Sequence, residues 1–334
     1  MKPSAIVLGL GTALVSLNGF AASWGLNNHI YVDRSDDSTD GFCQRGLQYA
    51  PQCNLRAAIR EALTQDGTVV DIRTDLVISQ GSIAIDPDRA TNLVVRGVGG
   101  SELKALTGSA NSRLFEINDK ANVRLNGVLI SNFSAWEGGA ILNAGTLELQ
   151  IATLAGNKAS CSGGGAMTAT ASCFGGAISN NGTLILKDDT RFENNEVSAT
   201  ASTASYTTAN ASGGAISSNG TIIIDGAVVF DSNRALTSAN SGVHPMPFGG
   251  AFSSAFGGAV ASNGSLEVSE SGAGKCIFAR NLAKAEGTTP FGEVSLTSRG
   301  GAAFVSGATS FTGAACVFTD NDAAEDRDLA FQGN

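Results

Sequence analysis

Behind Lys2 the chain carries an apolar stretch over 5–17, followed by small residues at 19–22. One positive charge, a short apolar region and a small-residue end predict a secretory signal peptide over 1–22, cut near Ala21 or Ala22. The stretch is shorter than the ~20 apolar residues that span a bilayer, and no later stretch is expected to cross one as a helix. Helical spacing stands out once. Leu55, Ala58, Ile59, Ala62 and Leu63 fall at i, i+3, i+4, i+7 and i+8, with Asn54 placed to cap the start and Gly67 past the end. This predicts a short amphipathic helix covering the open end of a strand array, within an N-terminal cap over 23–67. From Thr68 the pattern becomes that of strands, at 69–72, 76–78, 82–85 and 92–95.

The pattern then repeats. Gly138-Gly139-Ala140-Ile141 returns as Gly175-Gly176-Ala177-Ile178, Gly213-Gly214-Ala215-Ile216 and Gly257-Gly258-Ala259-Val260, and in degenerate form from Gly300. The starts differ by 37, 38, 44 and 43 residues. Each copy is followed by a second element ending in asparagine: Leu154-x-x-Asn157, Phe192-x-x-Asn195, Phe230-x-x-Asn233, Phe278-x-x-Asn281 and Phe318-x-x-Asn321. The unit therefore holds two coils of about twenty residues, and a fixed period of this kind marks repeats that bury their apolar faces against their neighbours. Coils built of strands predict an all-β fold: a single-stranded, right-handed parallel β-helix with a short N-terminal capping helix, its helical body running over 68–334.

Parallel pairing sets successive coils about 4.8 Å apart, so equal positions stack. Phe192, Phe230, Phe278 and Phe318 are expected to form an aromatic column. Asn195, Asn233, Asn281 and Asn321 are expected to form a ladder at a tight turn, where asparagine tolerates left-handed geometry. The glycine doublets allow close backbone approach at a corner. Asn181-Gly182, Asn219-Gly220 and Asn263-Gly264 read as turns rather than glycosylation acceptors, because the pair recurs at a fixed place in each coil.

Between units lie insertions rich in Ser, Thr, Ala and Gly, at 160–172, 198–212, 236–255 and 284–298. They leave the body at the same corner and should line up as loops on one side, which in repeat proteins is often the working face. Solvated, disordered loops are the plainer alternative. The 236–255 insertion carries His244, Met246, Phe248 and Phe252, and is the candidate binding loop. Ice binding would need a regular column of threonines, and here threonines gather in irregular loops.

Charge narrows the partners. With 21 Lys and Arg against 30 Asp and Glu, the chain has a net charge of -9 and no basic stripe, so nucleic acid is a poor partner. Six cysteines, Cys43, Cys53, Cys161, Cys173, Cys276 and Cys316, form an even set that favours disulfides in an exported chain. Short spacings point to Cys43 with Cys53 and Cys161 with Cys173. Cys276 and Cys316 stand close to one repeat apart. No Cys-x-x-Cys or Cys/His cluster offers a zinc or thiol-redox site.

Candidate catalytic groups are sparse. Asp188 and Asp189 are adjacent, so on a strand they would face opposite ways. Arg96 and Arg124 lie on strand-like segments and could face outward together, with no acidic cluster recurring near them at coil spacing. The dense carboxylate set is Asp33, Asp36, Asp37 and Asp40. It lacks EF-hand spacing, so calcium there ranks below a solvated loop. With His29 and His244 alone, a nucleophilic triad has little material. Gly97-Val98-Gly99-Gly100 reads as a coil corner, not a phosphate loop. No catalytic, cofactor or metal residues are assigned.

The motif pair resembles the Gly-Gly-Ala-Ile and Phe-x-x-Asn repeats of the polymorphic outer membrane protein family. Cys53-Asn54-Leu55-Arg56-Ala57-Ala58 resembles the Cys-Ser-Leu-Arg-Glu-Ala segment that opens many bacterial β-helix surface proteins. The resemblance implies a β-helical adhesive or structural protein at the bacterial cell surface or outside the cell, with a cell-surface protein or glycan as partner. Autotransporter members of that family end in a membrane barrel of alternating strands, a pattern not seen in the acidic run 320–328. Two alternatives accompany this expectation: an extracellular filament or matrix subunit assembling with itself, and a polysaccharide lyase or hydrolase. Location in the periplasm is the alternative to the surface.

Overall fold

The computed structural model describes residues 28–39, 41–45, 53–109, 111–203, 205–242, 249–269, 275–290, 293–312 and 316–331. The expected signal peptide lies outside them. The one α-helix among these residues spans Leu55–Ala62. Asn54 caps it, its side-chain oxygen accepting the Ala57 N–H at 3.0 Å while its amide donates to the Ser38 carbonyl at 2.8 Å. Leu55, Ala58, Ile59 and Ala62 are buried, and the helix packs on the strands His29–Val32 and Thr68–Ile72.

Otherwise the fold is all-β, and every strand pairing among the described residues is parallel, in sheets of fifteen, eight, five and four strands. Each full repeat supplies all four sheets. In the second unit Ile178–Asn180 enters the eight-stranded sheet, Thr183–Lys187 and Thr190–Glu193 the fifteen-stranded sheet, Glu196–Thr203 the five-stranded sheet and Tyr206–Ser212 the four-stranded sheet. Each strand pairs with its counterpart one unit on, as Ile178 with Ile216 and Phe192 with Phe230. The sequence period is thus the step between paired strands.

The two larger sheets share a core of Leu, Ile, Val and Phe. Within it the rings of Phe192, Phe230, Phe278 and Phe318 stack at 5.0, 4.6 and 5.2 Å between centroids. The two smaller sheets share a separate core made almost wholly of alanine. Between the cores runs the asparagine ladder. Asn157, Asn195, Asn233 and Asn281 each donate from the side-chain amide to the next asparagine's oxygen at 3.0 Å. All four are fully buried.

Opposite the ladder stand the glycine doublets. The first glycine of each, from Gly138 to Gly300, has a φ of 53° to 71°, a left-handed conformation that glycine takes without penalty. A Cβ on the second would strike backbone: on Gly214 it would meet the Gly258 carbonyl and the chain at Arg234, the residue after the ladder asparagine. The doublet therefore forms a waist between two cores rather than an outer corner.

Three expectations need correction. The left-handed residue at the ladder turn is the one before the asparagine, namely Gly156, Asn194, Ser232, Arg280 or Asp320, so the ladder asparagines are selected for their amide bonds. The glycines of the Asn-Gly pairs lack positive φ; they are needed because a Cβ on Gly182, Gly220 or Gly264 would strike a carbonyl oxygen one unit back. The insertions 160–172, 198–212, 236–255 and 284–298 are not loops. Their described residues form the strands Lys158–Gly165, Thr168–Phe174, Glu196–Thr203, Tyr206–Ser212, Arg234–Ser241, Gly250–Phe256, Leu282–Thr288 and Glu293–Arg299 with their connections. Backbone ladders order them, because alanine at alternate positions is enough to fill a thin interior.

Disulfides join Cys43 to Cys53, Cys161 to Cys173 and Cys276 to Cys316, with Cα atoms 4.6, 5.8 and 4.6 Å apart. Three such bonds fit an oxidising, extracellular-type environment. Among the described residues no helix is long and apolar enough to cross a membrane.

Candidate functional site

Four successive units send one strand out through the waist and bring one back, and together these form a side lobe. In the second unit Val197, Ala199 and Ala201 face inward from one sheet, and Thr207, Ala209 and Ala211 from the other, all buried. The two sheets are closed on one another differently along the stack. Cys161 and Cys173, in register with Ala199 and Ala211, hold the first unit by a disulfide. In the third, the Thr237 and Ser253 hydroxyls bond at 2.7 Å; in the fourth, the Ala285 N–H donates to the Ser298 hydroxyl at 2.8 Å. Among the described residues this interior is filled almost wholly by alanine side chains. The chemistry of the lobe lies on its outer faces, which present Ser198 and Thr200 on one side and Tyr206, Thr208 and Asn210 on the other.

Of the candidate binding loop, His244, Met246 and Phe248 fall outside the described residues. Phe252 lies on a strand, at an outward position between Thr208 and Ser295. The lobe threonines are ordered on strands but make no regular column, Thr168 being in register with Tyr206, Gly250 and Glu293; on the fifteen-stranded sheet Thr146, Thr183 and Thr221 do stack in register, followed by Ser265.

A second surface lies on the fifteen-stranded sheet, where Arg96 and Arg124 each stand beside a single carboxylate. Asp71 is in register with Arg96 and Glu148 with Arg124. The Asp71 carboxylate is 2.5 Å from Arg96 Nε and 2.7 Å from His29 Nδ1. Glu148 is 2.7 Å from Arg124 Nε and 3.6 Å from Lys187 Nζ. Both carboxylates are buried beneath these side chains. They lie three strand positions apart and two residues out of register, so at least about 14 Å at ~4.8 Å per strand, wider than the roughly 5–9.5 Å of paired glycosidase carboxylates. The face is two closed ion networks.

The chain matches no family model, no curated protein and no solved structure.

The acidic group before the helix is an anchor. Asp37 accepts from Arg56 at 3.0 and 3.1 Å and from the N–H groups of Ser79 and Gln80 at 2.8 and 2.7 Å. Asp33 pairs with Arg73 at 3.6 Å, and Asp36 with Arg34. Burial pulls the Asp36 carboxyl upward, but hydrogen bonds from Ser38 and the Arg34 charge carry it below its ordinary value. Asp40 falls outside the described residues. The three described carboxylates thus turn to three arginines, and among the described residues no group of three His, Cys, Asp or Glu is placed to hold a metal. Asp188 accepts the Ala227 N–H at 2.9 Å, and Asp189 occupies the turn with a φ of 61°.

Proposed function

We propose that this chain is an exported, right-handed parallel β-helix protein of the bacterial cell surface or extracellular space. It acts by adhesion or scaffolding, with the outer faces of its side lobe meeting a cell-surface protein or glycan. The observation that carries this reading is the lobe itself. Ordering about fifteen residues in each of four units is entropically expensive, and an alanine interior buries little apolar area in return. A plate of this kind gains its use from what it displays. Kinship with the polymorphic outer membrane protein family belongs to the same proposal and is supported by the spaced Gly-Gly-Ala-Ile and Phe-x-x-Asn copies.

The test is binding of the secreted, oxidised protein to whole cells and immobilised surface proteins, compared with a Thr208→Lys/Asn210→Lys/Ser254→Lys variant of the four-stranded face. The expected result is a loss of at least about tenfold, or 1.4 kcal/mol, with an unchanged thermal midpoint. Equal binding by the two proteins would remove the lobe from the function.

Self-assembly is the second reading, supported by the last lobe strands. Val294 and Leu296 are 42% and 48% exposed at positions in register with the buried Ala251 and Ser253, so the lobe ends on an open edge. Light scattering separates the readings, since filaments would favour this one and a monodisperse monomer the first. The lyase or hydrolase alternative draws on the Arg96 and Arg124 face, whose carboxylates are already engaged by cations.

A further inference from the structure

Where the lobe joins the body, a cleft of about 610 Å³ opens, lined in part by Ser82, Asn111, Arg113, Glu116, Trp136 and Ser160. Its volume falls within the ~300–1,000 Å³ typical of small-molecule sites. Trp136 is 64% exposed, although tryptophan is mostly buried when its role is structural.

The segment carrying the indole is fixed. Arg113, itself buried, donates from Nε to the Gly138 carbonyl at 3.1 Å and from Nη2 to the Glu137 carbonyl at 2.6 Å. The Ser134 N–H on the other side donates to the Ser112 carbonyl at 3.2 Å. Arg113 Nη1 also holds the Glu116 carboxylate at 2.7 Å, and the Ser82 hydroxyl donates to the same oxygen at 2.9 Å. Glu116 remains 44% exposed. The cleft thus combines an open aromatic face, a positioned carboxylate, an amide and several hydroxyls.

We propose that this cleft binds a neutral saccharide. A sugar ring has an apolar C–H face that stacks on an indole and a rim of hydroxyls that donate to a fixed carboxylate. Charge selects the neutral class. The Arg113 guanidinium is spent on Glu116 and two carbonyls, and the charged group left exposed is an acid, which repels uronates. This assignment is independent of the lobe-face reading.

The sequence has two tryptophans, so in a Trp24→Phe background Trp136 is the fluorescent reporter. The intact oxidised protein is titrated with maltotriose, cellotriose, chitotriose and trigalacturonate, and screened on an array of neutral and acidic glycans. At least one neutral probe should shift the emission with a dissociation constant of roughly 0.1–1 mM, the weak end of the affinity scale. By calorimetry Trp136→Ala should weaken that binding about tenfold or more, as loss of a tryptophan anchor does. Trp136→Phe should retain most of it, and Glu116→Gln should weaken it. Absence of any Trp136-dependent neutral binder, or preferential binding of acidic glycans, would overturn the proposal.

Discussion

Replacing Asn233 with alanine is expected to destabilise the oxidised protein by about 4 kcal/mol, the cost of leaving several buried polar groups without partners. The Asn233 side chain donates to the Phe192 carbonyl at 2.9 Å and to Asn281 Oδ1 at 3.0 Å, and accepts from the Asn195 N–H and amide at 3.0 Å each. Alanine orphans these groups in a region closed to water. Aspartate keeps the acceptor side, loses both donors and buries a charge, so Asn233→Asp should cost more. Asn219 is the control: it donates to Asn181 at 3.1 Å in an exposed ladder, and its change to alanine should stay within about 0.5 kcal/mol. Urea unfolding midpoints measure all three. A loss below about 1 kcal/mol for Asn233→Ala, no more than a single ordinary hydrogen bond, would show that the ladder does not hold the waist.

The second large effect is expected at Gly214. A Cβ there meets the Gly258 carbonyl and the backbone at Arg234, and neither can rotate away as a side chain would. Gly214→Ala should cost about 3 kcal/mol or more, at the upper end of overpacking. It should act locally by prising the lobe from the body, so protease cuts should appear first in the lobe strands. Gly164 has open space where its Cβ would stand. Alanine there should be neutral or stabilising by up to about 1 kcal/mol. Equal thermal midpoints for the two variants would contradict the close approach at the waist.

What was legible in the sequence follows from these constraints. Gly-Gly-Ala and Phe-x-x-Asn mark positions where sterics and hydrogen bonding admit few residue types, so the period, the aromatic column and the ladder could be read directly. The lobe was not, because Ser198-Ala199-Thr200-Ala201 alternates small polar with small apolar residues and mimics a linker. The signal was present in the alternation itself, with Ala199 and Ala201 on one strand and Ala209 and Ala211 on the other. Asp71 with Arg96 and Glu148 with Arg124 stand 25 and 24 residues apart, one strand-to-strand step that is shorter than the spacing of the glycine doublets and so was not marked by them. Trp136 carries no sequence motif; its segment is held by Arg113, which bonds the Glu137 and Gly138 carbonyls next to it.

The most direct test is amide hydrogen exchange over the lobe strands of the oxidised protein, read by mass spectrometry. Strands paired on both sides and closed over an alanine core should protect the amides of Glu196–Thr203, Tyr206–Ser212 and Gly250–Phe256 for at least minutes, while the edge strand Glu293–Arg299 exchanges faster. Exchange of all these segments within seconds would mean that the Ser-, Thr- and Ala-rich stretches are solvated loops, and the display surface proposed for them would not exist.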